Sequence, residues 1–274
     1  MLKKLDWGKL VVYSALVLFS LLYLMPIYMT IITALKHPVN ISLTTAWQPP
    51  VDINWGSFAE AYGKLGPNFM NSLYLASSAT IISAIIGSLN GYVFSKWELP
   101  GNELIFTLVL FGMFIPYQII LIPLFRVLRQ LGLYGGITGL ALAHIVYGIP
   151  ITSLIFRNFY ARIPKSMIES AQMDGAGFFG IYRRIMLPLS APGFVVVVIW
   201  QFTQIWNEFL WGITLTRHSA NPITVGLAQL AGGQAVSWNL PMAGSLLAAF
   251  PVLIIYILMG RYFIKGLLAG SVKG

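Results

Sequence analysis

Apolar residues crowd into six stretches, 10–35, 69–94, 104–124, 139–156, 191–215 and 242–260, separated by shorter polar segments. A helix needs about 20 predominantly apolar residues to cross the hydrocarbon core of a bilayer. Each stretch therefore predicts a membrane span, the fourth and sixth being the shortest. Prolines fall inside several of them: Pro116 and Pro123 in the third, Pro150 in the fourth and Pro251 in the sixth. Each removes a backbone donor that lipid cannot replace, so each predicts a kink. The first stretch is too long for the apolar core of a secretory signal, and no small-x-small cleavage site follows it. It reads as a retained span.

Between the fourth and fifth stretches lies a polar island. It contains Glu169-Ser170-Ala171-Gln172-Met173-Asp174-Gly175-Ala176, followed by Arg184-Ile185-Met186-Leu187-Pro188. Its pattern predicts two short helices joined at a glycine. Pro164 suits the first helical position, where a missing N–H is no loss. Gly175 suits the stop, where a left-handed backbone is free of Cβ strain. In the second helix Phe178, Ile181, Tyr182 and Ile185 fall at i, i+3, i+4 and i+7, one apolar face, and Pro188 ends it. A compact pair of helices between spans implies a docking partner. At the outer end of the second span, Asn71 and Ser72 read as helix caps.

Composition agrees with an integral membrane protein. The chain of 274 residues is 57% apolar and 9% charged, against roughly a quarter charged in soluble domains. Its net charge of +9 raises the question of nucleic acid, but the distribution answers it. With the N-terminus inside, 12 of the 17 Lys and Arg fall on the cytoplasmic side: Lys3, Lys4, Lys9, Lys96, Arg157, Arg162, Lys165, Arg183, Arg184, Arg261, Lys265 and Lys273. The outer ones are Lys36, Lys64, Arg126, Arg129 and Arg217. This bias satisfies the positive-inside rule. The basic balance reports topology and contact with lipid headgroups, not nucleic acid. Both termini and the 157–190 loop are then cytoplasmic. There is no cysteine, hence no disulfide framework and no thiolate metal site. The fold class is all-α with six transmembrane helices. It forms one membrane domain over 1–274, with a core of about 69–263 and a polar loop of about 159–190.

Polar side chains at membrane depth usually face protein or water. Gln201, Gln204 and Glu208 fall on one face of the fifth span, with Asn207 beside them and Trp200, Trp206 and Trp211 nearby. Amides and a carboxylate next to aromatic rings suit a sugar, whose hydroxyls need fixed donors and acceptors and whose C–H faces suit rings. The end of this segment also suits the outer interface, where Trp is enriched in any case. His144 and Tyr147 in the fourth span, and Tyr117 with Gln118 in the third, are further candidates.

The polar island resembles the EAA motif of the inner-membrane permeases of binding-protein-dependent ABC importers. The family form is roughly Glu-Ala-Ala, two residues, Asp-Gly-Ala, then a basic–Ile–x–Leu–Pro ending, and the chain departs at Ser170. Leu99-Pro100-Gly101, Ile115-Pro116-Tyr117-Gln118, Asn71-Ser72-Leu73 and Trp206-Asn207-Glu208-Phe209-Leu210-Trp211 extend the likeness to the carbohydrate-uptake branch, of the maltose-permease type. The resemblance implies a type I importer permease fold in a prokaryotic inner or plasma membrane. It implies that Ile168, Glu169, Ser170, Ala171, Asp174, Gly175, Ala176, Leu187 and Pro188 contact an ATPase subunit. It leaves Gln201, Gln204, Asn207, Glu208, Tyr117 and His144 as pathway candidates. The implied partners are a second, different permease subunit, two ATPase subunits, an extracytoplasmic sugar-binding protein and membrane lipid. The implied cargo is a monosaccharide such as glucose or mannose, or an oligosaccharide; some members take glycerol phosphate.

No catalytic residues, metal ligands or cofactor are expected in this chain. A phosphate-binding loop needs Gly-Lys followed by Ser or Thr, and both Gly8-Lys9 and Gly63-Lys64 are followed by Leu. ATP and Mg²⁺ would belong to the ATPase partners. An ion-coupled secondary transporter is the alternative from another class, but it calls for internal repeats and intramembrane charges. No repeat is visible, and Glu208 is the single candidate charge. A membrane protease is disfavoured by the lack of H-E-x-x-H and G-x-S-x-G.

Overall fold

The computed structural model describes residues 7–233 and 236–271. Lys3, Lys4 and Lys273 of the cytoplasmic basic set, and the last residues of the chain, lie outside them. Regular structure among the described residues is helical, apart from one isolated bridge between Gly135 and Thr216. The helices are α1 (Trp7–Ala34), α2 (Gly56–Lys96), α3 (Asn102–Phe111), α4 (Leu121–Gln130), α5 (Ile137–Ala161) and α6 (Lys165–Met173). They continue as α7 (Phe178–Ile181), α8 (Leu187–Leu189), α9 (Ala191–Trp206), α10 (Leu210–Leu215), α11 (Ile223–Ala231) and α12 (Asn239–Ser271).

By length and composition, four helices can cross a membrane: α1, α2, α5 and Asn239–Gly260 of α12. A fifth is added if the bent pair Phe178–Leu189 and Ala191–Trp206 counts as one span. The third apolar stretch, expected as a single span, is broken. α3 holds 10 residues, roughly 15 Å of helix. A 3₁₀ turn, Gly112–Phe114, follows, and Ile115 is extended with ψ 117°. The cause is Pro116, which clashes with a helical residue before it. Pro150 and Pro251, by contrast, sit inside continuous helices.

The chain divides into two units, with changes at Gly66/Pro67, Gly226/Leu227 and Ala249/Phe250. In the first, Ala34, Ala61 and Ala243 are fully buried, with Phe58, Met242, Leu246 and Leu247 packed around them. Ser57 Oγ accepts from Asn54 Nδ2 at 3.1 Å and from Asn239 Nδ2 at 2.8 Å. Almost all of α1 is exposed within the chain, as a surface meant for lipid or another subunit would be.

In the second unit, α2 and α5 approach closely along small residues, a common membrane packing device. A Cβ on Gly91 would lie 2.6 Å from Phe156 Cβ and 2.7 Å from the Arg157 backbone nitrogen. Thr152 Oγ1 donates across the same seam to the Ser83 carbonyl at 3.0 Å. Asn71 and Ser72, expected as caps of their own helix, lie well inside α2, which starts at Gly56. Ser72 Oγ instead accepts the N–H of Ile223, the first residue of α11, at 2.8 Å. Asn71 Nδ2 donates to the carbonyls of Ser219 and Asn221. The capping chemistry is as expected; the helix end it serves is another one.

Candidate coupling loop and transport pathway

The 157–190 loop folds as the helix–turn–helix its sequence predicts. α6 begins one residue after Pro164, which occupies the cap position with ψ 137°. At the stop, Gly175 has φ +80°. Its N–H bonds to the Gln172 carbonyl, and the Ala176 N–H reaches back to the Ala171 carbonyl, both at 2.9 Å. These two bonds form a Schellman closure. Ile168 and Ile181 are buried, and Phe178, Tyr182, Ile185, Ala171 and Ala176 pack beside them on Tyr92, Phe156, Tyr160 and Val197. The inner face of the loop is thus welded to α2, α5 and α9. The outer face carries Glu169, Ser170, Asp174 and Gly175, all exposed, with Met173 at 89% and Phe179 at 73% exposure.

Pro188 does not end the second helix as expected. A π turn, Tyr182–Met186, precedes it, with the Leu187 N–H bonded to the Tyr182 carbonyl. Proline has no N–H to donate, and a π turn is one way a helix absorbs such a gap. Leu187 and Pro188 lie exposed on α8, and the chain bends by 73° at Ser190 into α9. At this bend sits a buried hydroxyl network. Tyr160 Oη lies 2.6 Å from Ser88 Oγ and donates to Ser190 Oγ at 3.0 Å; Tyr182 Oη donates to Ser88 Oγ at 2.9 Å. It ties α2, α5, the loop and the start of α9 at one point. At the head of α6, Lys165 donates to Glu98 at 2.8 Å. That bond holds the Glu98 carboxyl below its ordinary pKa and the Lys165 ammonium above its own.

Five of the six pathway candidates gather around one cavity of about 350 Å³: Tyr117, His144, Gln204, Asn207 and Glu208. Trp211, almost fully buried, is its hub. Its ring meets Tyr117, Tyr147 and His144 at centroid distances of 6.0, 5.4 and 5.0 Å. Its Nε1 donates to the Tyr117 carbonyl at 3.2 Å. Glu208 Oε1 accepts the Trp211 N–H at 2.7 Å, which places a carboxylate at the N-terminus of α10. His144 Nε2 is buried without a hydrogen-bond partner, 3.9 Å from Glu208 Oε2. Asn207 Nδ2 is turned back to the Thr203 carbonyl at 2.8 Å.

Gln201 does not join this group. It is 5% exposed and donates to Ser83 Oγ at 3.2 Å, pressed against Gly148. Helical spacing predicts the two amides on one face; the structure turns Gln201 into the chain and leaves Gln204 exposed. Of the three tryptophans, Trp200 is half exposed and away from the cavity, and Trp206 is buried against Phe69 and Phe202. Phe209 and Leu210 also line the cavity; the sequence marks them only as part of the 206–211 resemblance, because an apolar side chain gives no sign of facing a pathway.

An all-α chain of long apolar helices, broken spans and a welded helix–turn–helix with an exposed crest defines a membrane permease of the ABC-importer type. The family model for the binding-protein-dependent transport system inner membrane component matches residues 79–268, and the chain belongs to that family. A probable ABC transporter permease protein of Pyrococcus horikoshii is 41% identical over the whole of both chains. The osmoprotective compounds uptake permease of Synechocystis is 34% identical, over 97% of this chain and 93% of its own. The xylose/arabinose import permease of Haloferax volcanii is also 34% identical, over 93% and 90%. Among solved structures, a chain of a bacterial ABC transporter that imports alginate superposes with a TM-score of 0.82 at 21% identity, over 96% of this chain and 99% of that one. The protein is therefore the membrane-embedded permease of an importer whose ATP hydrolysis belongs to a partner.

Proposed function

We propose that this chain is one of two different permease subunits of an ATP-driven carbohydrate importer, working with two ATPase subunits and an extracytoplasmic binding protein. The cavity around Trp211 carries this reading. Its aromatic faces suit the C–H faces of a sugar ring, and Gln204, Asn207, Glu208 and His144 offer the mixed donors and acceptors that hydroxyls need. The xylose/arabinose relative supports the same class. The cargo is a monosaccharide such as glucose or mannose, or an oligosaccharide presented one ring at a time to these side chains.

In this reading the chain crosses the membrane six times with both termini in the cytoplasm, the third crossing made by α3 and α4 on either side of Pro116. The exposed crest of the 159–190 loop docks on an ATPase subunit. Ile168, Ala171 and Ala176 hold the loop to the permease. Glu169, Ser170, Asp174, Gly175, Leu187 and Pro188 meet the partner. Gln201 keeps α9 in register with α2 rather than touching cargo. Co-purifying the importer with its binding protein and identifying the bound solute by mass spectrometry tests the cargo. A mono- or oligosaccharide is expected; a compatible solute without a sugar ring, or glycerol phosphate, contradicts the carbohydrate assignment.

A further inference from the structure

A cavity of about 410 Å³ opens beside the ends of α2 and α5 and the start of α3. Three cations line it: Lys96, Arg157 and Lys165. Arg157 is fixed in place. Its Nε donates to the Phe94 carbonyl at 3.3 Å, and its guanidinium lies 4.2 Å from the Phe106 ring centroid. Lys96 Nζ is tied to the Ile163 carbonyl, at the approach to α6. The counter-charges are of another kind. Glu103 pairs with Arg157 and Glu98 with Lys165, but these carboxylates are 76% and 89% exposed. Exposed carboxylates in such pairs are held weakly and leave readily. Two held cations and one exposed lysine, facing two displaceable anions, carry one positive charge in excess and leave the site short of a permanent negative partner.

We propose that this cavity binds an anionic phosphate group, taken from a phospholipid headgroup or from free phosphate. The planar fork of Arg157 suits two phosphate oxygens, and the two ammonium groups suit the rest. Under the proposed topology the site lies at the cytoplasmic interface, where anionic headgroups concentrate and basic pockets between spans bind them. Bound phosphate would bridge the end of α2, through Lys96, to the head of α6, through Lys165. It would brace the coupling loop from the membrane side, making coupling sensitive to lipid charge.

The test uses the assembled importer in three settings: phosphatidylcholine nanodiscs, the same with phosphatidylglycerol, and phosphatidylcholine alone with inorganic phosphate added. Thermal unfolding of the complex is the readout. Phosphatidylglycerol, inorganic phosphate or both should raise the Tm of the native complex. A response to phosphatidylglycerol alone identifies a lipid, and a response to inorganic phosphate identifies a soluble anion. Lys165→Gln, at a side chain 61% exposed, leaves the core intact and should bind spin-labelled phosphatidylglycerol or phosphate about tenfold more weakly. Arg162→Gln, at an exposed neighbour outside the cavity, should respond as the native chain does. No rise in Tm with either anion, or equal responses in Lys165→Gln and the native chain, would overturn the proposal.

Discussion

Gly175 separates backbone strain from steric clash, which makes it the sharpest probe of the coupling loop. Its φ is +80°, and a Cβ built on it meets nothing within 4 Å. A substitution there costs only what the left-handed backbone costs, about 1–2 kcal/mol for an ordinary residue. A cost of that size changes an equilibrium by roughly 5- to 30-fold. The turn is closed by only two backbone bonds, from Gly175 and Ala176, so a strained loop in the free permease can relax by opening there. Docking on the ATPase would have to close it again, and the strain would then appear as lost affinity. Asn tolerates this backbone best after Gly, and β-branched residues least. Association with the ATPase subunits should therefore weaken in the order Asn, Ala, Val, with Gly175→Ala down roughly 5- to 30-fold and Gly175→Val down further. Titrating detergent-solubilised permease with ATPase subunits measures it, with membrane levels of each variant checked by immunoblot. Native affinity in Gly175→Val, or Asn as the worst substitution, would refute the reasoning.

Three further outcomes are expected. Tyr160→Phe removes the hydroxyl shared by Ser88 and Ser190 and leaves Ser190 without that donor, so the complex should lose roughly 1–2 kcal/mol of stability, read as a lower Tm. Gln201→Leu should lower complex stability by removing the donor to Ser83 Oγ, whose own hydrogen stays on the Thr80 carbonyl, whereas Gln204→Leu should leave assembly intact and change transport rate or affinity; the reverse pattern contradicts the placement of the two amides. In the cysteine-free background, cysteines at Ser42 and Ala220 should react with an impermeant thiol reagent from outside and one at Ser166 only from the cytoplasm; outside labelling at Ser166 contradicts both the orientation and the docking role.

The helix–turn–helix was legible because local rules set it. A stop glycine, a start proline and apolar residues at helical spacing need no distant contact, and the fold of 164–186 follows them closely. The break at Pro116 was half legible: proline marks a kink, but only the extended Ile115 turns the kink into two separate helices. What escaped depends on long-range partners. Nothing near Ser72 says that its hydroxyl caps a helix beginning 151 residues later. Nothing near Gln201 names Ser83 as its acceptor. The start of α2 at Gly56 escaped because its first turns, with Glu60 and Lys64 paired at 2.8 Å, carry no continuous apolar pattern. The cavity shows both cases. Its polar members stood out by type, while Phe209 and Leu210 join it only through the break between α9 and α10.

The central claim is that sugar moves through this subunit at the expense of ATP hydrolysed by a partner docked on the 159–190 loop. Proteoliposomes holding the complete importer, given binding protein and labelled xylose or glucose outside and ATP inside, measure that directly. The account predicts accumulation that requires ATP and binding protein, persists when proton and sodium gradients are collapsed by ionophores, and fails in Gly175→Val. Accumulation without ATP that follows an imposed ion gradient would contradict it.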